Sequence, residues 1–131
     1  MGAGTYALVL FLPDSRKFRI GALGFIAFPK GYYVYVGSGL NGLESRVLRH
    51  LSKKKKVFWH IDYFIPHTRA ISVLMVNQKR RLECKISRAC ASVADRIILK
   101  FGCSDCRCGS HLFYFKKNPV NKISFIFQRV F

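Results

Sequence analysis

Arg46 and His50 stand four residues apart, just beyond three closely spaced glycines, Gly37, Gly39 and Gly42. On a helix that spacing projects both side chains along one edge. An arginine offers a planar fork of donors that stays charged at any working pH, and an imidazole changes charge near neutrality. Behind a glycine-rich turn the pair is suited to gripping a phosphate. An ordinary amphipathic helix with a solvated cationic side would carry the same spacing, so the pair alone does not define a site. Glu83 draws notice because acids are scarce, 6 Asp and Glu against 23 Lys and Arg. Its ordinary alternative is a surface carboxylate paired with Lys79 or Arg80. A third cluster is Cys103, Cys106 and Cys108 with His111, spaced C-x2-C-x-C-x2-H. That is dense enough for a zinc knuckle that Cys84 could join, but it departs from paired zinc motifs, and reduced thiols in a tight loop are the alternative.

Local sequence predicts the elements that must position these groups. Residues 32–36 are aromatic and β-branched, as a strand requires, and the glycines supply a tight strand-to-helix turn. Asn41 and Glu44 have the spacing of a capping box opening a helix. Leu43, Val47, Leu48 and Leu51 form its apolar face, with Arg46, Arg49, His50 and Lys53 beside it. Before that unit, residues 5–12 read as a buried strand, Pro13, Asp14 and Ser15 as a turn, and residues 18–23 and 25–28 as two short strands. After it come the charge run Lys53, Lys54, Lys55 and Lys56 and an aromatic block, residues 57–64, that holds His60. Residues 70–76 read as a strand and residues 80–94 as a second helix, with Leu82, Ile86, Ala89 and Val93 inward, Glu83 at the edge and Cys84 turned away. Residues 101–115 begin as a loop and end in a strand, and residues 123–131 resemble a last apolar strand or packed tail. The expectation is a single α+β domain over residues 1–131, with its core in about residues 1–117 and a C-terminal strand or tail over 118–131. Its small sheet is expected to be partly antiparallel, with helices flanking it.

Composition narrows the class. Half of the 131 residues are hydrophobic, with 12 Phe and 6 Tyr, so the chain is not a disordered basic tail. A formal charge of +17 attracts polyanions, for a folded domain above all nucleic acid. The cations are spread along the chain rather than gathered on one amphipathic helix, which disfavours a membrane surface. The apolar run near the N-terminus is too short to span a bilayer and lacks the features of a signal peptide, and five cysteines cannot all pair. A cytoplasmic protein is expected on these grounds.

Taken in order, Gly4-Thr5-Tyr6, Tyr35-Val36-Gly37, Arg46 with His50, and Glu83 resemble the signature of the GIY-YIG endonuclease superfamily. The resemblance is closer still to its Uri-type stand-alone branch, through GYYVYVGSG, GLESRVLRH, WHIDYF, the Glu83-Cys84 pair and SDCRCGSHLFYF. Thr5 replaces the isoleucine of the family name, and residues 18–28 add a hairpin between the two signature strands.

The resemblance implies a metal-dependent endonuclease that hydrolyses phosphodiester bonds, DNA more than RNA. It gives Tyr6 the role of general base or water-orienting group, with Tyr35 as its hydrogen-bonded partner, and Glu83 that of ligand to one Mg²⁺ or Mn²⁺. Arg46 would hold the phosphate, His50 would share the base role or bind a phosphate oxygen, and His60 would be a neighbour. A free phenol has a pKa of about 10, so Tyr6 needs nearby positive charge to ionise. Arg49 and Lys53 to Lys56 are assigned to generic backbone contact. The rival expectation is a basic nucleic-acid-binding module that keeps the fold without turnover.

Overall fold

In GTYALVLFL no residue breaks an extended chain, and Gly4–Leu12 forms the strand β1. A computed structural model describes residues 4–39, 47, 49–50, 60–77, 82–101 and 110–129. The further strands are β2 (Arg16–Arg19), β3 (Phe25–Phe28), β4 (Gly31–Gly39), β5 (Arg69–Asn77), β6 (Arg96–Ile98) and β7 (Leu112–Phe115). The described helices are α1 (His60–Phe64), α2 (Glu83–Val93) and α3 (Val120–Arg129), and Val47, Arg49 and His50 are also helical. The fold is α+β, a five-stranded sheet in the order β5-β1-β4-β7-β6 with β2 and β3 paired apart as a hairpin. Every described pairing is antiparallel, where only part of the sheet was expected to be.

Strand alternation divides the core into two layers. Tyr6, Leu8, Leu10, Tyr33, Tyr35 and Leu112 face one side, where the hairpin, α1 and Phe101 cover them. Ala7, Val9, Val34, Val36, Phe113 and Phe115 face the other, under α2 and α3. The end of the aromatic block forms α1, whose Phe64 packs on Phe28 and Tyr33 with ring centroids 4.9 Å apart in both cases. At the opposite end of β4 from the signature glycines, Gly31 has φ +148° and lies so close to Tyr114 that a Cβ would come within 2.6 Å of its ring. Only glycine fits there. Among the described residues no helix is long and apolar enough to cross a membrane.

Four expectations need correction. Residues 18–23 are not one strand: β2 runs Arg16–Arg19, and Gly21–Leu23 turns as a 3₁₀ segment. The strand β6 was not anticipated, because three residues flanked by Asp95 and Lys100 carry too little pattern. The α2 wheel is rotated, with Leu82, Ile86, Ser87 and Cys90 inward and Val93 exposed. The C-terminal segment is a helix. Its Ile123 and Phe127 fall four apart on the buried side, and the Asn118 side-chain oxygen accepts from the Val120 N–H at 3.0 Å, capping its first turn.

Burial also sets two titrations. Desolvation, with the Arg16 guanidinium beside it, holds His67 below the ordinary imidazole value, and desolvation does the same for His60. His67 stacks on Phe18 with centroids 3.9 Å apart, and Arg16 donates to its Nδ1 at 3.4 Å, which requires the neutral ring. Just below pH 6.5 the folded chain therefore binds fewer protons than the unfolded chain, and stability falls as the pH drops through that window. Thermal unfolding should show a lower midpoint at pH 5 than at pH 7. His67→Gln should flatten the dependence, and an identical slope in wild type and variant would count against this origin.

Candidate active site

The Tyr6 hydroxyl and His50 Nε2 lie 2.6 Å apart, and both side chains are buried, at 1% and 0% exposure. The bond is thus shielded from competing water, which strengthens it. Three elements make it. Tyr6 projects from β1, directly opposite Gly37 of β4, and Tyr35 lies two residues along β4 on the same face. His50 descends from the helical residues that also bury Val47. Tyr35 meets Tyr6 ring to ring at 6.4 Å and His50 at 6.0 Å. The two tyrosines, expected to form a pair on neighbouring strands, thus lie side by side, and the His50 imidazole bonds the Tyr6 hydroxyl.

Gly37 makes this arrangement possible. A Cβ built on it would overlap both the Tyr6 hydroxyl and the ring carbon that bears it. The last residue of Tyr35-Val36-Gly37 is therefore glycine for want of space, since the Tyr6 ring lies across its backbone.

Glu83 sits elsewhere. It opens α2, where the helix dipole favours a carboxylate. Ser38 donates to its Oε2 at 3.3 Å, and His111 Nδ1 is 3.3 Å from Oε1. Ser38 is three residues from Tyr35 and hence on the opposite side of β4. The Tyr6, Tyr35 and His50 cluster and the Glu83 cluster thus occupy the two faces of one end of the sheet.

The role of His111 is not one that sequence indicates, where it reads as a zinc ligand or as a histidine satisfied within its own loop. Its Nδ1 lies 3.0 Å from the Val36 carbonyl and 3.5 Å from the Ser87 hydroxyl. Facing a carbonyl and a carboxylate oxygen, both of which only accept, Nδ1 carries the proton. The backbone is held as well, because the Val36 N–H donates to the His111 carbonyl at 3.0 Å and the His111 N–H to that of Phe101 at 2.9 Å. His111 therefore ties the central strand to the start of α2. Nothing in its spacing signalled this, since the partners are 28 and 75 residues away in the chain.

The remaining expected site residues lie around this centre or outside the described residues. Arg49, assigned to backbone contact, forms a two-pronged ion pair with the buried Asp62 at 3.0 and 3.1 Å, which draws its guanidinium inward. His60 meets Phe101 with centroids 5.6 Å apart, and Tyr35 meets the same ring at 6.2 Å, so this aromatic links His60 to the cluster. Cys84 is disulfide-bonded, so it has no free thiolate for a zinc knuckle, and its partner lies outside the described residues. Cys90 is free but buried, with its thiol pushed up to about 12. Arg46, Lys53, Lys54, Lys55, Lys56, Cys103, Cys106 and Cys108 lie outside the described residues.

Among the described residues no group of three or more His, Cys, Asp and Glu could hold a metal ion. Glu83 suits a looser site. Its side chain is 29% exposed, so a solvent-facing carboxylate could share an ion with several waters, as Mg²⁺ prefers.

Fold and geometry together define a small, strongly basic α+β domain with a buried tyrosine–histidine pair and a hydrogen-bonded glutamate at one end of its sheet. The chain belongs to the family described as Domain of unknown function DUF123, whose model matches residues 5–131. Neither a curated protein nor a solved structure matches it.

Two outcomes follow from the packing. Gly37→Ala should destabilise the fold by about 1–3 kcal/mol through overpacking, and the loss should largely vanish in a Tyr6→Ala background. A double-mutant cycle by chemical denaturation measures this, and additive effects would mean that Tyr6 does not set the constraint. His111→Leu should cost about 1–3 kcal/mol by leaving its acceptors without a donor. His111→Asn, which keeps an amide donor near the Nδ1 position, should recover much of that. Equal losses in both variants would assign the effect to ring packing.

Proposed function

We propose that the protein is a metal-dependent endonuclease of the GIY-YIG type, in the Uri-type branch, that hydrolyses phosphodiester bonds in nucleic acid, with DNA the favoured substrate. The observation that carries this reading is the Tyr6–His50 hydrogen bond with Tyr35 beside it. A phenol bonded at 2.6 Å to an imidazole has an acceptor for its proton already in place. Proton transfer from Tyr6 to His50 gives a phenolate stabilised by an adjacent imidazolium, which meets the need for positive charge beside the tyrosine.

In this mechanism the phenolate draws a proton from a water whose oxygen attacks phosphorus, the ester P–O bond breaks, and the departing oxygen takes up a proton. Arg46, by the sequence argument, would grip the phosphate with its fork. Glu83, oriented by Ser38 and His111, would hold a divalent ion, Mg²⁺ or Mn²⁺, which when bound supplies charge stabilisation at the leaving oxygen. The net charge of +17 favours the encounter with nucleic acid. A cytoplasmic site of action accords with this substrate.

A non-catalytic binding module is the second reading, and the burial of Tyr6 and His50 favours it. Incubation with supercoiled, branched and single-stranded substrates, with Mg²⁺, Mn²⁺ or chelator, separates the two. Metal-dependent cleavage is expected, reduced about 10²- to 10⁴-fold in Tyr6→Phe and lost in Glu83→Gln, with binding retained. Cleavage undiminished in both variants would overturn the mechanism, and binding without cleavage on every substrate would favour the module. Affinity should also fall with salt, with a log-log slope of about −0.9 per duplex phosphate contacted.

A further inference from the structure

The hairpin of β2 and β3 interrupts the two signature strands and takes no part in the site above. Its inner face is firmly anchored. Phe18 stacks on Phe28 at 4.8 Å and meets Phe64 at 5.9 Å, while Phe28 and Ile20 are buried in the core. The outer face is a different surface. Arg19 pairs with Phe25 and Lys17 with Ala27 across the ladder, and all four residues are exposed.

Phe25 is 67% exposed, and among the described residues no ring or cation stacks on it. The contrast is Phe125, also exposed, whose ring carries the Arg129 guanidinium at 5.4 Å. Leaving a large aromatic bare on a rigid ladder forgoes its burial, unlike a side chain on a loop that could fold over it. Directly opposite stands Arg19, whose Nε donates weakly to the Gly21 carbonyl at 3.4 Å. Its two terminal nitrogens have no protein partner among the described residues. Lys17 lies two residues along the same face, about 6.8 Å away. No acid occurs between Arg16 and Lys30.

An open aromatic face flanked by two cations is the arrangement that takes an unpaired base on the ring and its neighbouring phosphates on the charges. A continuous duplex offers no free base face, so the surface fits a single-stranded segment better than a paired one. We propose that the outer face of the hairpin is a single-strand nucleic-acid contact in which Phe25 stacks a base and Lys17 and Arg19 hold phosphates. The proposal rests on the nucleic-acid-binding part of the reading above and not on catalysis.

The test is fluorescence anisotropy of the full chain, in chelator to suppress cleavage, with a labelled single-stranded oligodeoxynucleotide and the same strand in a blunt duplex. Phe25→Ala should weaken single-strand binding about 5- to 100-fold and leave duplex binding unchanged. Phe25→Trp should restore it, and Lys17→Ala with Arg19→Ala should weaken it further and flatten its salt dependence. Unchanged single-strand affinity in Phe25→Ala, or an equal loss on both substrates, would overturn the proposal while leaving the endonuclease reading standing. No binding of wild type to either substrate would overturn both, whereas loss of cleavage in Tyr6→Phe with intact hairpin-dependent binding would support the proposal independently.

Discussion

Nine residue pairs join β1 to β4 without a slip, from Gly4 opposite Gly39 to Leu12 opposite Gly31, and every other placement depends on that register. A shift of one residue would send Tyr6, Leu8 and Leu10 to the helix-covered face and Ala7 and Val9 to the hairpin side. Because both faces are buried, neither arrangement is interchangeable with the other. The packing of Tyr6 against the backbone of Gly37 holds the same register locally, since only that glycine leaves room for the ring. By contrast, the β1–β5 ladder shifts between Val9 and Leu10. An edge strand with Ile71 and Met75 exposed tolerates that irregularity, as the central pair would not.

Acid placement follows from the same economy of charge. Asp62 is buried against Arg49, Asp95 accepts the Lys116 N–H at 2.8 Å, and Glu83 is bonded to Ser38 with His111 alongside. Three of the six acids thus serve such ties, and around β2 the cations Arg16, Lys17 and Arg19 have only Asp14 close to them in sequence. The Arg49–Asp62 pair also shows why a basic helix cannot be read as a uniform contact surface. Leaving a buried aspartate without its partner is strongly unfavourable, so one arginine of the cluster turns inward.

Much of this was legible because strand patterns are local. β1, β4 and β5 announced themselves by β-branched and aromatic runs, and the hairpin by the turn residues around it. Tyr6, Tyr35 and His50 were found through an ordered resemblance, and the fold brings those three together. What sequence could not convey was long-range geometry. The phase of α2 differs from that of its apolar stripe, Leu82, Ile86, Ala89 and Val93, because the polar Ser87 turns inward and its hydroxyl is buried beside His111. The C-terminal helix reads in sequence as a strand or packed tail because ISFIF satisfies an apolar run, and the cap at Asn118 gives no signal strong enough to outweigh it. His111 was grouped with nearby cysteines because they are close in sequence, while its contacts lie on other elements.

The two polar clusters on opposite faces of the sheet are not independent, because three consecutive residues of β4 serve both. Val36 presents its carbonyl to His111, Gly37 admits the Tyr6 ring, and Ser38 donates to Glu83. A strand sends successive side chains to alternate faces while its backbone remains common to both. Any movement of this tripeptide must therefore displace the tyrosine–histidine pair and the glutamate together. For the endonuclease proposed above, groups acting at one phosphodiester would need a fixed relative position more than mutual contact, and a shared stretch of central strand supplies that without a bond between them. The constraint also accounts for the sequence at this point, where a β-branched residue, a glycine and a serine each meet a separate demand within three positions of one strand.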